Sequence, residues 1–454
     1  MTVDIQPIRD HDAGHGRRTG TWSDARVVLG SLVLGAVSAL GLTMGVFPGA
    51  TEAVVTGSLL VGFGVGWAAL AVVSCCHTPR PQRWARVPAI AMSGTGAGLV
   101  AFSPDHSSLS VLTWVWPPLM VALVAWMAVQ ARRALPGRSR LLLTPVFATL
   151  VVVAVGALAQ NVTSLRVGRD HPAPGRTLAV GDHRLHLDCR GTGGPTVVLF
   201  SGSGEFSASW ARITGQVSGS TRVCAYDRAG QGWSDDVGEP QDGVTAAADL
   251  HTLLVTAGEH APYVLVGHSM GGPYALTYAA QYPQDVAGMV LLDSSSPRQF
   301  ADMPAYPLQY ELMTRAVSLL PTLTRVGLGP VIGPSSHLPG AEGDVVEAMG
   351  STVRAQRSAR DELSMVPRLL EDSQSLSTLG DRPLVVLTAS ENLGTEGWAA
   401  AQDRLAALSS DSVHRDVRSS HAGLVDDPNG SDASVTAIES VARSVSTGSP
   451  LSAS

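Results

Sequence analysis

The sequence contains no lysine, so all 31 of its basic residues are arginines. This absence excludes Schiff-base chemistry and the lysine-containing phosphate-binding loop. Charged residues make up only 15% of the chain, whereas roughly 25% is usual in soluble proteins. Part of the chain is therefore expected to be insoluble in water. The net charge of -7, without a long arginine run, argues against a nucleic-acid partner, since binding phosphates needs a basic surface.

Cysteine is also scarce. The chain has four cysteines, of which Cys75 and Cys76 are adjacent. They are too few for a disulfide-rich scaffold and lack the spacing of a zinc site. The sequence therefore predicts no metal and no cofactor.

Long apolar runs fill most of the first third of the chain, each bounded by arginine or by glycine, proline or aspartate. Most of them reach the roughly 20 residues that a bilayer core requires of a helix. They predict an all-α transmembrane region over 27–160 with about five helices, at 27–47, 53–73, 87–102, 109–129 and 141–160.

Arginine is distributed unevenly among the connections. Arginines precede the first run and lie between the second and third and between the fourth and fifth, whereas the connections near 48–52 and 103–108 have none. By the positive-inside rule, this alternation predicts a multi-pass protein of the cell membrane with a cytoplasmic tail over 1–26. After five crossings, a linker over 161–176 would lead to a second half that lies outside the cytoplasm.

In the second half, short β-branched runs alternate with helical patterns rich in alanine and leucine. This alternation predicts an α/β domain over 177–446, with a mainly parallel eight-stranded sheet covered by helices on both faces. The segment 294–381 lacks a convincing strand and is predicted to be an inserted helical cap, and 447–454 is predicted to be a disordered tail. The strands are predicted at 177–180, 183–189, 196–200, 222–226, 263–267, 288–292, 384–388 and 413–417.

The motif Gly267-His268-Ser269-Met270-Gly271 directly follows a predicted strand and precedes a helical pattern. This context is typical of a nucleophile elbow, in which small residues flank a serine held in a strained backbone conformation. Ser269 is therefore the predicted nucleophile. Because a helix begins directly after it, the Met270 N–H is predicted to donate to a developing oxyanion.

A serine nucleophile also needs a base and a second oxyanion donor. His421 follows the last predicted strand, where the base is expected, and no other histidine of the domain has that position. The second donor is expected in the loop after the third strand, Ser201-Gly202-Ser203-Gly204, whose small residues let backbone N–H groups approach a carbonyl. Ser203 is the predicted donor.

At these residues the chain resembles the α/β-hydrolase superfamily. Its segment Asp227-Arg228-Ala229-Gly230-Gln231-Gly232-Trp233-Ser234 is similar to the family's Asp-Arg-x-Gly-x-Gly-x-Ser turn, and the nucleophile precedes the base in the family's order. The resemblance implies the α/β-hydrolase fold and hydrolysis of an ester, amide or thioester through an acyl-enzyme. It also implies a structural role for the Asp-Arg turn beside the oxyanion loop.

The acid has two candidates. The family's commoner position follows the seventh strand, where this chain has Glu391 and then Asn392 in place of the expected aspartate. The other position is the end of the sixth strand, which is occupied by Asp293. Asp293 is the favoured acid and Glu391 the alternative.

The two cysteines of the second half lie in strands that are neighbours in the sheet order usual for this fold. Cys189 ends the second strand and Cys224 lies in the fourth. Two outcomes stay open: a disulfide, which would persist outside the cytoplasm, or two buried free thiols.

Together these features predict a membrane-anchored serine hydrolase that acts on a small-molecule acyl substrate. The apolar cap and the adjacent lipid bilayer favour a hydrophobic substrate. Two alternatives remain: acyl transfer to an acceptor other than water by the same residues, and a membrane sensor or scaffold that keeps the fold without catalysis. The sequence identifies no protein partner.

Overall fold

Five helices that are long and apolar enough to cross a membrane form the first part of the protein in the computed structural model, which describes residues 22–451. The five predicted apolar runs coincide with them. The five are α1 (Asp24–Leu40, continued by a π-helical turn Gly41–Val46), α2 (Glu52–His77), α3 (Arg86–Phe102), α4 (His106–Ala134) and α6 (Thr144–Asp170). A short helix, α5 (Gly137–Leu141), precedes α6. We call residues 24–170 the apolar helical region; most of the predicted tail 1–26 lies outside the described residues.

Small residues let these helices approach closely. A Cβ placed on Gly62 of α2 would lie 2.3 Å from the Cα of Ala39 in α1. On another part of α2, a Cβ on Gly57 would lie 2.7 Å from the carbonyl oxygen of Gly96 in α3. Glycine at such contacts allows backbone-to-backbone packing, the common way in which helices associate in lipid.

Helix α6 extends further than the sequence analysis predicts. It runs to Asp170, so most of the segment 161–176 predicted as a linker is helical. Val167 is buried within the extension, and before the extension α6 packs against the cap: a Cβ on Gly156 would lie 2.3 Å from the carbonyl oxygen of Val326. Gly156 and Val326 are far apart in the sequence, so a local sequence pattern could not reveal their contact.

An eight-stranded sheet forms the centre of the second half, as predicted. Its strand order is β1-β2-β4-β3-β5-β6-β7-β8; β1 and β2 are antiparallel to their neighbours and the remaining pairs are parallel. Every residue of β3, β5 and β7 is buried because helices cover both faces. The strands are β1 (Arg176–Val180), β2 (His183–Arg190), β3 (Val197–Phe200), β4 (Val223–Tyr226), β5 (Tyr263–His268), β6 (Val286–Leu292), β7 (Leu384–Ala389) and β8 (Ser412–Val417).

Two layers of helices enclose this sheet. The helices are α7 (Ala211–Val217), α8 (Gly243–Ala257), α9 (Gly271–Gln281), α16 (Trp398–Ala406), α17 (Gly423–Asp426) and α18 (Pro428–Thr447). Leu250 and Leu276 lie in the apolar core on one face, and Ile213 and Ile438 in the core on the other. Beyond α18, the N–H of Leu451 donates to the Asp411 carboxylate at 3.0 Å. In the tail 447–454 that was predicted to be disordered, Thr447 therefore ends α18 and Leu451 contacts the domain, while 452–454 lie outside the described residues.

The segment between β6 and β7 is helical, as expected of a cap. Its helices are α10 (Gln299–Asp302), α11 (Tyr306–Ser318), α12 (Leu320–Leu323), α13 (Gly329–Ile332), α14 (Gly340–Gly350) and α15 (Val353–Ser373), with a π-helical turn at Thr324–Leu328. The cap packs directly on the apolar helical region. Arg325 forms a buried ion pair with Glu52, with Nη2 lying 2.9 Å from Oε2, and donates to the Thr113 hydroxyl at 2.9 Å.

Cys189 of β2 and Cys224 of β4 are directly opposite each other in the antiparallel register and form a disulfide. Of the two outcomes that the sequence left open, the structure therefore contains the disulfide. Cys75 and Cys76, at the far end of α2, are free.

Candidate active site

The predicted nucleophile lies on a sharp turn between β5 and α9. Ser269 has a φ of +52°, the left-handed conformation that costs a non-glycine residue energy. Its N–H donates to the carbonyl oxygen of Leu292 at 3.1 Å, which ties the turn to β6. The turn requires glycine because a Cβ on Gly271 would lie only 2.0 Å from the carbonyl oxygen of Phe200. The motif therefore forms a strained strand–turn–helix junction, the backbone geometry expected of a nucleophile elbow; we call residues 267–271 the elbow.

The favoured acid and the predicted base are in direct contact. Asp293 Oδ2 lies 2.6 Å from His421 Nδ1. Asp293 directly follows β6 and is completely buried, whereas about a third of the His421 side chain, 34%, is exposed. The other carboxylate oxygen, Oδ1, accepts hydrogen bonds from the Trp398 indole at 2.8 Å and from the Ala389 N–H at 3.2 Å. Both oxygens of a buried carboxylate are thus satisfied.

These contacts determine the charge of Asp293. Burial alone would raise its pKa, but the hydrogen bond and charge of His421, together with the donors Trp398 and Asn392, hold the pKa below its ordinary value. The carboxylate therefore stays ionised at neutral pH and can orient a protonated or neutral imidazole through Nδ1.

Glu391, the alternative acid, binds the backbone and not the imidazole. Its Oε2 accepts the N–H of His421 at 2.7 Å. The neighbouring Asn392 donates from Nδ2 to Asp293 Oδ2 at 2.5 Å and lies 3.5 Å from His421 Nδ1. The amide at the family's commoner acid position therefore supports the carboxylate of Asp293.

His421 also lies close to the elbow. Its ring centroid is 4.7 Å from that of His268, the residue before Ser269. In the described part of the chain no hydrogen bond joins the Ser269 hydroxyl to His421. Such a bond often forms only when substrate is bound, so the free geometry does not argue against the pair.

The loop after β3, residues 201–206, is held in a defined orientation by Arg228 of the Asp-Arg turn. The guanidinium donates to the carbonyl oxygens of Ser201 at 2.7 Å and of Gly202 at 3.0 Å. In a trans peptide the N–H points opposite to the carbonyl oxygen, so the N–H of Ser203 points away from Arg228. Within residues 22–451, the N–H groups of Ser203 and Met270 donate to no protein acceptor, which leaves both able to bind an oxyanion.

An ion pair that the sequence analysis did not single out lies behind the nucleophile, between the buried His268 and Glu205, whose side chain is 22% exposed. Glu205 Oε1 is 2.9 Å from His268 Nδ1, and Glu205 Oε2 accepts the N–H of Gly202 at 2.7 Å. On its other edge, His268 Nε2 lies 3.1 Å from the carbonyl oxygen of His421. The pair therefore links the β3 loop, the elbow and the loop of the predicted base.

Burial opposes the charge on both partners of this pair. The charge and hydrogen bond of His268 nevertheless lower the pKa of Glu205, and those of Glu205 raise the pKa of His268. An imidazolium explains the geometry, because only the protonated ring can donate from both nitrogens at once. The only signal in the sequence was an acidic residue directly after a run of serine and glycine, residues 201–204.

Comparison with known proteins agrees with the topology. Residues 195–321 match the family model described as alpha/beta hydrolase fold. The match contains the β3 loop, the elbow and Asp293, and the sheet has the mostly parallel eight-stranded arrangement that the alternating strand and helix patterns predicted. The second half of the chain has the α/β-hydrolase fold.

Individual relatives are similar over short stretches. An uncharacterised protein of Schizosaccharomyces pombe is 30% identical over 192 residues, which cover 36% of this chain and 35% of that protein. A 2-hydroxy-6-oxononadienedioate/2-hydroxy-6-oxononatrienedioate hydrolase of Paraburkholderia phymatum is 35% identical over 130 residues, or 27% of this chain and 44% of the hydrolase. The chain thus spans less than half the length of either relative. Among solved structures, a thermophilic esterase from Thermogutta terrifontis aligns with a TM-score of 0.46 at 21% identity, covering 59% of this chain and 97% of the esterase.

Proposed function

We propose that this protein is a membrane-anchored serine hydrolase that cleaves an ester, amide or thioester of a hydrophobic small molecule. The observation that carries the proposal is the buried Asp293, hydrogen-bonded to His421 beside the strained turn of Ser269. The α/β-hydrolase fold and a relative named as a hydrolase support hydrolytic activity in general.

In the proposed mechanism, His421 removes the proton of the Ser269 hydroxyl through Nε2 as the oxygen attacks the acyl carbonyl. Asp293 holds the imidazole through Nδ1 and stabilises the imidazolium that forms. The N–H groups of Ser203 and Met270 stabilise the oxyanion. His421 then protonates the leaving group, and a water molecule that it deprotonates hydrolyses the acyl-enzyme and regenerates Ser269.

The proposed location is the cell membrane, with the hydrolase domain outside the cytoplasm. The arrangement of helix ends supports this orientation. Arg325 and Arg315 of the cap contact Glu52 and the Met44 carbonyl oxygen, near the arginine-free connection 48–52. The arginine-rich connections precede α3 and α6, at the opposite helix ends, which the positive-inside rule assigns to the cytoplasm.

The direct test is reaction of the full-length protein with a fluorophosphonate probe, together with turnover of p-nitrophenyl butyrate. We expect Ser269→Ala to abolish labelling and to lower kcat by about 10⁶, the usual cost of losing the nucleophile. Ser390→Ala, which changes an exposed serine at the end of β7, is the matched control and should retain both. Normal labelling or turnover in Ser269→Ala would exclude the proposal.

A further inference from the structure

A cavity of about 360 Å³ lies between the apolar helical region, the cap and the β3 loop. A volume of this size is in the range of small-molecule sites. Residues of α4 and α6 line it together with cap residues 349–350 and 352–355 and residues 204–206 of the β3 loop. The cavity is therefore built jointly by the two halves of the chain.

Helices α4 and α6 each have one face that lines the cavity. On α4 this face consists of His106, Ser110 and Trp114, and on α6 it includes Ser164, Leu165 and Gly168. Since a helix rises about 1.5 Å per residue, the cavity follows α4 for about 12 Å. Trp114 is 46% exposed and Leu165 is 68% exposed, so protein atoms leave much of both side chains uncovered, and both residues belong to candidate membrane spans.

The chemistry of the wall favours an uncharged, apolar occupant. Apolar side chains that line it include Trp114, Leu165, Phe206, Trp233, Met349 and Val353. Its arginines are already paired: Arg325 with Glu52, and Arg354 with Asp236 and the carbonyl oxygen of Gly232. An anionic ligand would therefore meet no free cation on these two side chains.

The cavity and the candidate active site share the β3 loop. Gly204, Glu205 and Phe206 line the cavity, and in the same loop a Cβ on Gly202 would lie 3.1 Å from the Cβ of Ser269. An apolar chain in the cavity would thus lie against the loop that carries Ser203, one of the two predicted oxyanion donors.

We propose that this cavity binds the acyl chain of an uncharged lipid ester, which enters from the bilayer between α4 and α6. The inference rests on the proposed serine hydrolase function and specifies its substrate. It also gives the apolar helical region a second role, because two of its helices then form part of the substrate site in addition to anchoring the domain.

The test compares kcat/KM for p-nitrophenyl butyrate and p-nitrophenyl decanoate in the full-length protein in nanodiscs. Leu165→Trp and Gly168→Phe narrow the cavity; a Cβ on Gly168 meets no atom within 4 Å, so the backbone tolerates a side chain there. Val152→Trp is the matched control, since Val152 lies on the same helix, is also 68% exposed and does not line the cavity.

We expect both cavity variants to lower the decanoate-to-butyrate ratio at least about tenfold, a typical discrimination by an apolar pocket, while Val152→Trp leaves it unchanged. An unchanged ratio in the cavity variants, or an equal loss in the control, would overturn the inference. A diazirine-labelled decanoyl ester gives a readout independent of catalysis: crosslinks to α4 and α6 should persist in Ser269→Ala and be lost in Leu165→Trp. If Ser269→Ala retains turnover, the proposed function fails, whereas absent crosslinks contradict only the cavity assignment.

Discussion

At the scale of single residues, the structure distinguishes the two carboxylates that could serve as the acid. Asp293 contacts the imidazole of His421, whereas Glu391 accepts only the backbone N–H of the same residue. We therefore expect Asp293→Asn to lower kcat by up to about 10⁴, because the imidazole loses both its orientation and the charge that stabilises its protonated form. Glu391→Gln should have little effect, since a glutamine carbonyl oxygen can still accept the N–H.

The measurement is steady-state hydrolysis of p-nitrophenyl butyrate by the two matched variants, with thermal unfolding to verify that each is folded. A larger loss in Glu391→Gln than in Asp293→Asn would transfer the role of acid to Glu391. Equal and small losses would mean that neither carboxylate acts through His421.

The ion pair of Glu205 and His268 should make stability depend on pH. A raised pKa of His268 stabilises the folded protein at low pH, and this contribution is lost as the pH rises through the folded-state value. A lowered pKa of Glu205 stabilises it at higher pH, and this contribution is lost as the pH falls through the folded-state value. Because the pKa of His268 is raised and that of Glu205 is lowered, the ion pair should stabilise the folded protein most between about pH 4.3 and 6.5, the ordinary pKa values of the two groups.

Glu205→Gln tests this dependence. It should reduce the free energy of unfolding by about 1–3 kcal/mol, the range for losing a hydrogen bond to a charged partner. The difference from the wild type should be greatest inside that window and shrink at pH 8. Denaturant unfolding at several pH values measures it, and a difference that is constant with pH would show that His268 is uncharged in the folded protein.

At the scale of elements, the elbow depends on the close approach of α9 to the end of β3. Gly271→Ala would place a Cβ 2.0 Å from a backbone oxygen of Phe200, and backbone atoms cannot move aside as a flexible side chain can. We expect a loss at the upper end of the about 1–3 kcal/mol typical of overpacking, or more. Gly215→Ala in α7 is the control, because a Cβ there meets no atom within 4 Å and alanine favours the helix by about 1 kcal/mol.

Thermal unfolding of these two variants separates the close contact from the general effect of replacing glycine. Gly271→Ala should unfold at a lower temperature than the wild type and Gly215→Ala at an equal or higher one. A Gly271→Ala protein as stable as the wild type would show that the elbow can relax without cost.

Elements were the part of the structure most accessible from sequence. Short β-branched runs bounded by turn residues and apolar runs of membrane length depend on local composition, so all eight strands and five long helices were predictable. The contacts of the acid were not, because Asp293 and Glu391 both follow strand ends and only the distant Trp398 and His421 distinguish them. The Glu205–His268 pair was missed for a similar reason: its partners are far apart in sequence and show no periodic pattern.

At the scale of the whole molecule, the cap joins the two halves. The buried pair of Arg325 and Glu52, and the hydrogen bond from Gln160 to the Ser351 carbonyl oxygen at 3.0 Å, connect the cap to α2 and α6. Removing either Arg325 or Glu52 would leave the other as a buried charge without a partner. The cap is therefore positioned by the apolar helices as well as by the sheet, which no pattern within either half could indicate.

The disulfide tests where the hydrolase domain resides. Cys189 and Cys224 are 35 residues apart, and closing a loop of that length stabilises a domain by about 3–4 kcal/mol in the chain-entropy model. A bond of this kind persists outside the cytoplasm and is rare within it. We therefore expect protein isolated from its membrane to contain the bond, and Cys189→Ala/Cys224→Ala to unfold at markedly lower denaturant concentration.

Reductant should shift the wild type toward the double variant and leave the variant unchanged. Cys75→Ala/Cys76→Ala is the control, since both thiols are exposed and free, and it should match the wild type with and without reductant. Protease added to intact cells should cleave the hydrolase domain, because the proposed orientation places it outside. Thiols of Cys189 and Cys224 that are alkylated without reductant, in a domain that protease reaches only after lysis, would place the domain in the cytoplasm and reverse the proposed topology.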